Sequence, residues 1–314
     1  MAYREDIEYI KVPPEDDPVK IKDYLEIGKG LQATDGLPTS HYLDQVINEA
    51  ANGSYDISQA QEKLKDYYAK IDPASDEYAT KEGDEVTARI AEVLESYSFT
   101  FSPITLQGIH RQLFEGIKPD FRPGEWRDYN FIKKEPILNG RSVNYGDWNA
   151  ILAQLDHDFG QERSKQQNYR LPLDAANIDQ LAGFISRVWE THGFCEGNTR
   201  TSAVFLILYL RRLGVPANND YFKGHSAYFR DALVRSNYTS LENGVSADTT
   251  YLKKFFENML LGANYDLESL DLRCHELFSH NDQSSPSLSQ QVRAAECASR
   301  DRDLPDPPRA GIAR

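Results

Sequence analysis

Cysteine is scarce in this sequence and placed where it can build little. The three in 314 residues, Cys195, Cys274 and Cys297, are an odd and widely spaced set. That excludes a disulfide framework, no metal-binding spacing occurs among them, and reduced thiols are expected. Long apolar runs are missing as well. The longest, Ala203 to Leu210, falls far short of the ~20 residues that span a bilayer, so no membrane association is expected. The opening Met-Ala-Tyr-Arg-Glu-Asp lacks the apolar core of a signal peptide, which points to a cytoplasmic protein. Basic charge is in deficit: 35 Lys and Arg stand against 49 Asp and Glu, a net charge of −14. Phosphate backbones demand the opposite balance, so a general nucleic-acid binder is excluded. A single nucleotide in a locally basic pocket is not. No internal repeat of solenoid length is visible.

What the chain does have is helical period. Residues 1–24 are polar and acidic, with Pro13-Pro14 and Glu15-Asp16-Asp17, and read as an extended arm. Tyr42, Val46 and Ile47, and then Leu64, Tyr67 and Tyr68, recur at helical spacing on either side of an Asn52-Gly53-Ser54 turn, with Ser58 placed to cap the second segment. Val86, Ile90 and Val93 mark a helix from about Glu82 to Ser96. Residues 1–96 thus form an acidic helical module. Ile104, Ile109, Leu113 and Phe114 predict a helix ending near Gly116, and Trp148, Leu152 and Leu155 another. Between them, Asn139-Gly140 flanked by Ile137-Leu138 and Val143 is a strong hairpin signal, because both turn residues must take positive φ. Ile178, Leu181, Ile185, Val188 and Trp189 lie on one helix, and Val204 to Leu210 on the next, which ends at Gly214 after Arg211 and Arg212. A last helix holds Tyr251, Leu252, Phe255, Phe256 and Leu260. Residues 266–314 form a C-terminal segment. Past residue 279 its Ser, Gln, Asp, Pro and Arg composition reads as a disordered tail. The expected fold is all-α with one small β-hairpin, its core at 97–265.

The segment between those two central helices concentrates the chemistry. From His192 to Arg200 it holds an imidazole, a carboxylate, a Gly-Asn turn and a guanidinium. A turn entering a helix presents unpaired N–H groups and the positive end of the dipole, so an anion can sit there. On this reading His192 is a general base, and Glu196 is a Mg²⁺ ligand, since magnesium binds through one or two carboxylates plus substrate phosphates. Gly197, Asn198 and Thr199 form the anion pocket. Arg200 clamps phosphate with its planar fork. Phe194 belongs to the same nucleotide-binding stretch as the core anchor of the loop. Each also has a plain structural reading: a helix-end histidine, a dipole-capping glutamate, an ordinary turn and a surface ion pair.

These residues resemble the signature of the Fic family, H-x-F-x-(D/E)-G-N-G-R-x-x-R. His192, Phe194, Glu196, Gly197, Asn198 and Arg200 match, while Thr199 replaces the second glycine and Ala203 the second arginine. Phe114 to Gly124, Arg127 to Asn130, the Lys133 to Leu138 run and Tyr228 to Leu233 are similar to the flanking parts of that domain. The resemblance implies transfer of AMP from ATP, with Mg²⁺, to a Ser, Thr or Tyr hydroxyl of a target protein. It also implies a flap at the hairpin, through Ile137, Leu138 and Val143, that registers the target by strand addition. Tyr228 falls on the helix expected to flank the nucleotide. Transfer of another nucleotide or of a phosphoryl group, and a catalytically weak interaction module, are the alternatives. An antitoxin-like inhibitory partner is a further implication. So is an inhibitory helix bearing (S/T)-x-x-x-E-(G/N). No Glu followed by Gly or Asn has Ser or Thr four positions earlier, and Leu31 to Gly36 is a degenerate candidate with Asp35 in the glutamate's place. Weak restraint at most is therefore expected. The methyl group of Ala203, one turn from Arg200 on the same helix, implies poor discrimination between ATP and ADP.

Overall fold

Asp17 and Pro18 start the first helix. The Asp17 carboxylate accepts from the Val19 N–H at 2.9 Å, and proline occupies the first turn, where no N–H is needed. The helix, α1, runs Pro18–Leu31 and buries Ile21, Leu25 and Leu31. This corrects the expectation of an extended arm over its last part, residues 18–24. The apolar residues do keep a helical period there, but the Lys, Asp and Glu between them dominate the composition. The computed structural model describes residues 14–95, 98–268 and 272–278. Residues 1–13 of the expected arm, the tail beyond 279 and Cys297 lie outside the described residues.

Three more helices complete the N-terminal layer: α2 (His41–Ala51), α3 (Ile57–Tyr68) and α4 (Lys81–Glu95). Ser40 caps α2, and Asp56 caps α3 through a capping box with Gln59, a task the sequence had offered to Ser58. Ile21, Leu25, Leu43, Val46, Ile47, Ile57 and Leu64 share one core with Ala88 and Ala91 of α4. The close crossing of α1 over α4 depends on Gly28, where a Cβ would lie 2.5 Å from the Thr87 carbonyl oxygen. A buried polar knot ties the layer together. Asp84 accepts from the Ser40 N–H at 2.9 Å, from the Ser40 hydroxyl and from the Tyr68 hydroxyl at 2.6 Å.

The remaining helices up to Arg273 are α5 (Pro103–Phe114), α6 (Ile151–Lys165), α7 (Ala175–Thr191), α8 (Asn198–Arg212), α9 (Asp220–Gly224), α10 (Ser226–Asn237) and α11 (Thr250–Leu261). Every residue of α8 from Asn198 to Leu210 is buried, as expected of a helix apolar on most faces. It packs against α4, α5 and α7 and is the central helix of this unit. Phe101, Phe159, Phe184, Phe205 and Tyr209 fill the space between α6, α7 and α8. Residues to Arg273 make one compact unit; Cys274 begins a second, in which His275–Phe278 form one helical turn, α12. The architecture is all-α. Among the described residues no helix is long and apolar enough to cross a membrane.

The expected hairpin takes another form. Asn139 and Gly140 do adopt positive φ, 52° and 76°, as their turn chemistry predicts. The flanking residues make no strands, however. Pro136–Leu138 turn as a 3₁₀ segment, and a single antiparallel bridge joins Glu135 to Arg141. Ile137, Leu138 and Val143 are all buried. Three inward apolar side chains within seven residues draw the loop onto the core, and a two-residue strand period cannot survive that.

Asp84→Ala would leave the Ser40 N–H and two hydroxyls without their acceptor. We expect it to lower unfolding free energy by about 2–4 kcal/mol, read from urea melts; a loss under about 1 kcal/mol would show that the knot is not what joins α2, α3 and α4.

Candidate functional site

The site is built where α7 stops and α8 begins. His192 caps α7 in the left-handed region, φ 46°, with its N–H on the Trp189 carbonyl at 3.0 Å. Such a conformation is costly for a residue with a side chain, and Arg127 holds it in place. The Arg127 guanidinium donates to the carbonyls of His192 at 2.7 Å, Thr191 at 3.2 Å, Tyr129 at 2.6 Å and Gly146, while its backbone N–H donates to Gly193 at 2.8 Å. The imidazole is 3% exposed and enclosed by Tyr145, Trp189 and Phe131. Nδ1 lies 3.3 Å from the Trp189 carbonyl. Assigning the ring proton to that nitrogen leaves Nε2 as the free lone pair. Burial, then the charges of Lys133, Arg127 and Arg230, hold this imidazole well below its ordinary pKa, so it is neutral at pH 7.

Residues 194–198 form a locked loop. The Asn198 side chain accepts from the Phe194 N–H at 2.9 Å and donates to the Phe194 carbonyl at 2.8 Å. Phe194 is stacked between His110 and Trp126, centroids 4.0 and 4.7 Å away. His110 accepts from the Gly124 N–H and bonds the Glu196 carbonyl at 3.1 Å; burial pushes its pKa down to about 4. Gly197 sits at φ 71°, and a Cβ there would meet the Phe114 ring at 2.4 Å. Thr199 accepts from the Trp189 indole N–H at 2.9 Å. Phe194, Asn198 and Thr199 are therefore occupied in shaping the loop.

Glu196 differs from its neighbours in being exposed. Its side chain is 49% accessible and reaches a cleft of about 390 Å³ whose walls include Thr34, Asp35, Lys133, Pro136, Arg230 and Asp231. A larger cleft, about 710 Å³, lies between α3 and α4, but no motif residue lines it. We take the smaller one as the site because chemistry, not size, decides. Arg230 is paired with Asp231 at 2.9 Å and with the fully buried Glu135, which also accepts from the Tyr145 hydroxyl at 3.0 Å. No cluster of three or more His, Cys, Asp or Glu able to hold a metal occurs among the described residues. A lone exposed carboxylate fits Mg²⁺, which takes its other ligands from water and phosphate.

Arg200 is placed differently from a phosphate clamp. It is 1% exposed, and its nitrogens face Asp35 at 2.8 Å, Gln32 at 3.1 Å and Glu82 at 3.2 Å, with its face 4.8 Å from the Phe114 centroid. The degenerate Leu31 to Gly36 segment thus brings its carboxylate to the motif arginine. Ala203 is fully buried within α8 and does not border the cleft. Tyr228 is buried with its hydroxyl on the Tyr251 carbonyl at 3.2 Å, and its neighbours Ala227, Arg230 and Asp231 face the cleft instead. Ile137, Leu138 and Val143 support the loop from beneath. Sequence reasoning passed over Glu135, Arg230 and Asp231 as site residues. A Glu135–Arg230 pair joins positions 95 apart, which no local pattern reveals.

Both buried histidines should stay neutral well into acid. Folded His110 binds no proton where the unfolded imidazole, near 6.5, already does, so its contribution makes stability fall as pH drops from about 6.5 to about 4, and the depressed pKa of His192 adds a loss of the same sign below about 6.5. For His110 alone this amounts to something on the order of 3 kcal/mol. Imidazole NMR shifts should show neither ring titrating between about pH 7.5 and 5.5, about one decade on either side of the ordinary histidine pKa; a midpoint at the ordinary value for His192 would mean that its ring is hydrated.

No curated protein and no solved structure matches this chain. Residues 100–210 match the model of the Fic/DOC family, a span that holds Arg127, the flap-like loop, α7, the His192–Arg200 loop and most of α8. The match supports placing this part of the chain in the Fic family, generally a family of transferases.

Proposed function

We propose that the chain transfers AMP from ATP to a Ser, Thr or Tyr hydroxyl of another protein. One juxtaposition carries the reading: a neutral imidazole of fixed orientation and, four residues on, an exposed carboxylate opening on a cleft at the start of α8. Nε2 of His192 takes the proton of the target hydroxyl as its oxygen attacks the α-phosphorus. The new O–P bond forms while the bond to the pyrophosphate oxygen breaks, and pyrophosphate leaves with that electron pair. General base action of this kind contributes roughly 10²–10⁴-fold. Mg²⁺ held through Glu196 would supply charge neutralisation on the phosphates. Because Phe131 and Tyr145 cover the imidazole, the loop bearing them must yield before a hydroxyl can come within about 3 Å of Nε2. With Ile137, Leu138 and Val143 buried, the target would meet main-chain groups of that loop and the exposed Ile132 rather than those three side chains.

A second reading has its own observation. Among the described residues no aromatic side chain lines the cleft to stack on a base, and another nucleotide or phosphorylated donor would be accepted on the same phosphate chemistry.

Incubation with α-³²P-ATP and Mg²⁺ tests the proposal. Labelled protein should appear, its adduct mass should be that of AMP, and His192→Ala should abolish labelling while keeping the wild-type melting profile. Glu196→Ala should be impaired and partly rescued by high Mg²⁺. Labelling by His192→Ala at near wild-type rate would remove the base from the mechanism, and an adduct of a different mass would favour the second reading.

A further inference from the structure

The fold commits most of the charge around the cleft. Asp35 is engaged with Arg200, and Asp231 with Arg230, which also holds the buried Glu135. Arg200 itself donates to Gln32 and Glu82, has the Asp35 carboxylate at ion-pair distance and a ring on its face, and does not line the cleft. Two lining charges are left. Glu196 is exposed, and the ammonium of Lys133, with 30% of its side chain accessible, lies 3.9 Å from that carboxylate. That separation is beyond hydrogen-bond range, and the Lys133 ammonium makes no hydrogen bond among the described residues. Its three donors are available. The backbone beneath it is anchored: the Lys133 N–H bonds Ser142 Oγ at 3.2 Å, and Glu135 two residues on is tied to Arg230 and Tyr145.

We propose that Lys133 is the phosphate-binding cation of this site, its ammonium holding an oxygen of the donor's phosphate chain where Arg200 is not placed to reach. The inference rests on the phosphate-donor reading given above. Glu196, whose carboxylate lies 3.9 Å from the Lys133 ammonium, would hold a divalent cation that neutralises it, leaving the ammonium's donors to phosphate. The two uncommitted charges then divide the work, one for the metal and one for the anion. Lys134, its neighbour in sequence, is exposed and does not line the cleft, so the same charge one residue away should not serve.

Calorimetric titration of the full chain with Mg²⁺ plus ATP, and with Mg²⁺ plus inorganic tripolyphosphate, tests this. Lys133→Met keeps the apolar stem and removes the charge; it should weaken both probes roughly ten- to a hundredfold. Lys133→Arg should recover most of that loss, and Lys134→Met should stay within about twofold of wild type. Unchanged binding by Lys133→Met, equal losses in Lys133→Met and Lys134→Met, or a wild-type chain that binds neither probe would each overturn the assignment. Binding of tripolyphosphate that depends on Lys133, in a chain that transfers no AMP, would support Lys133 and sink the AMP reading. AMP transfer at wild-type rate and wild-type ATP affinity in Lys133→Met would do the reverse.

Discussion

Arg127 is almost fully buried and has no carboxylate partner among the described residues, yet four carbonyl oxygens meet its guanidinium. Two of them, from Thr191 and His192, lie at the C-terminal end of α7, where helix carbonyls have no partner of their own and the dipole favours positive charge. The other two, from Tyr129 and Gly146, belong to the long segment between α5 and α6. One planar cation thus joins the end of the helix that delivers the imidazole to the loop that covers it. The left-handed turn at His192, the direction of its ring and the position of the 127–146 segment all follow from this contact. Its charge also contributes to the field that keeps His192 unprotonated.

A second buried guanidinium does comparable work in the first turn of α8. Arg200 joins the motif to Gln32 and Asp35, just after α1, and to Glu82 at the start of α4. Replacing any one partner leaves the others buried and imperfectly matched, so such a contact is worth more to hold than to acquire. Its consequence is organisational. The N-terminal helices share a surface with the motif and shape the cleft through Thr34 and Asp35.

Within the cleft, charges are paired off in a way that separates roles. The buried Glu135 and the partly buried Asp231 meet Arg230, the imidazole is kept neutral by burial and by positive neighbours, and the half-buried Lys133 and exposed Glu196 stay beyond hydrogen-bond distance. A neutral imidazole near an exposed carboxylate and a loosely paired ammonium is an arrangement compatible with phosphate chemistry, where most of the work is placement of charge.

How much of this could be read in advance depends on the range of each interaction. The period of Ile178 to Trp189, the turn chemistry of Asn139-Gly140 and the order of residues from His192 to Arg200 are local, and a linear pattern reports local geometry directly. Charged residues hid α1, because its Ile21, Leu25 and Leu31 stripe is diluted by Lys, Asp and Glu. The burial of Ile137, Leu138 and Val143 is a property of the core they land on, so the sequence offered a hairpin where the fold made a closed loop. Residue identity determined that an imidazole, a carboxylate and a glycine-bounded turn lie together at a helix start. Tertiary structure alone decided which charges remain free there, since Arg200 meets Asp35 across 165 positions and Arg230 meets Glu135 across 95, and burial makes those pairings binding.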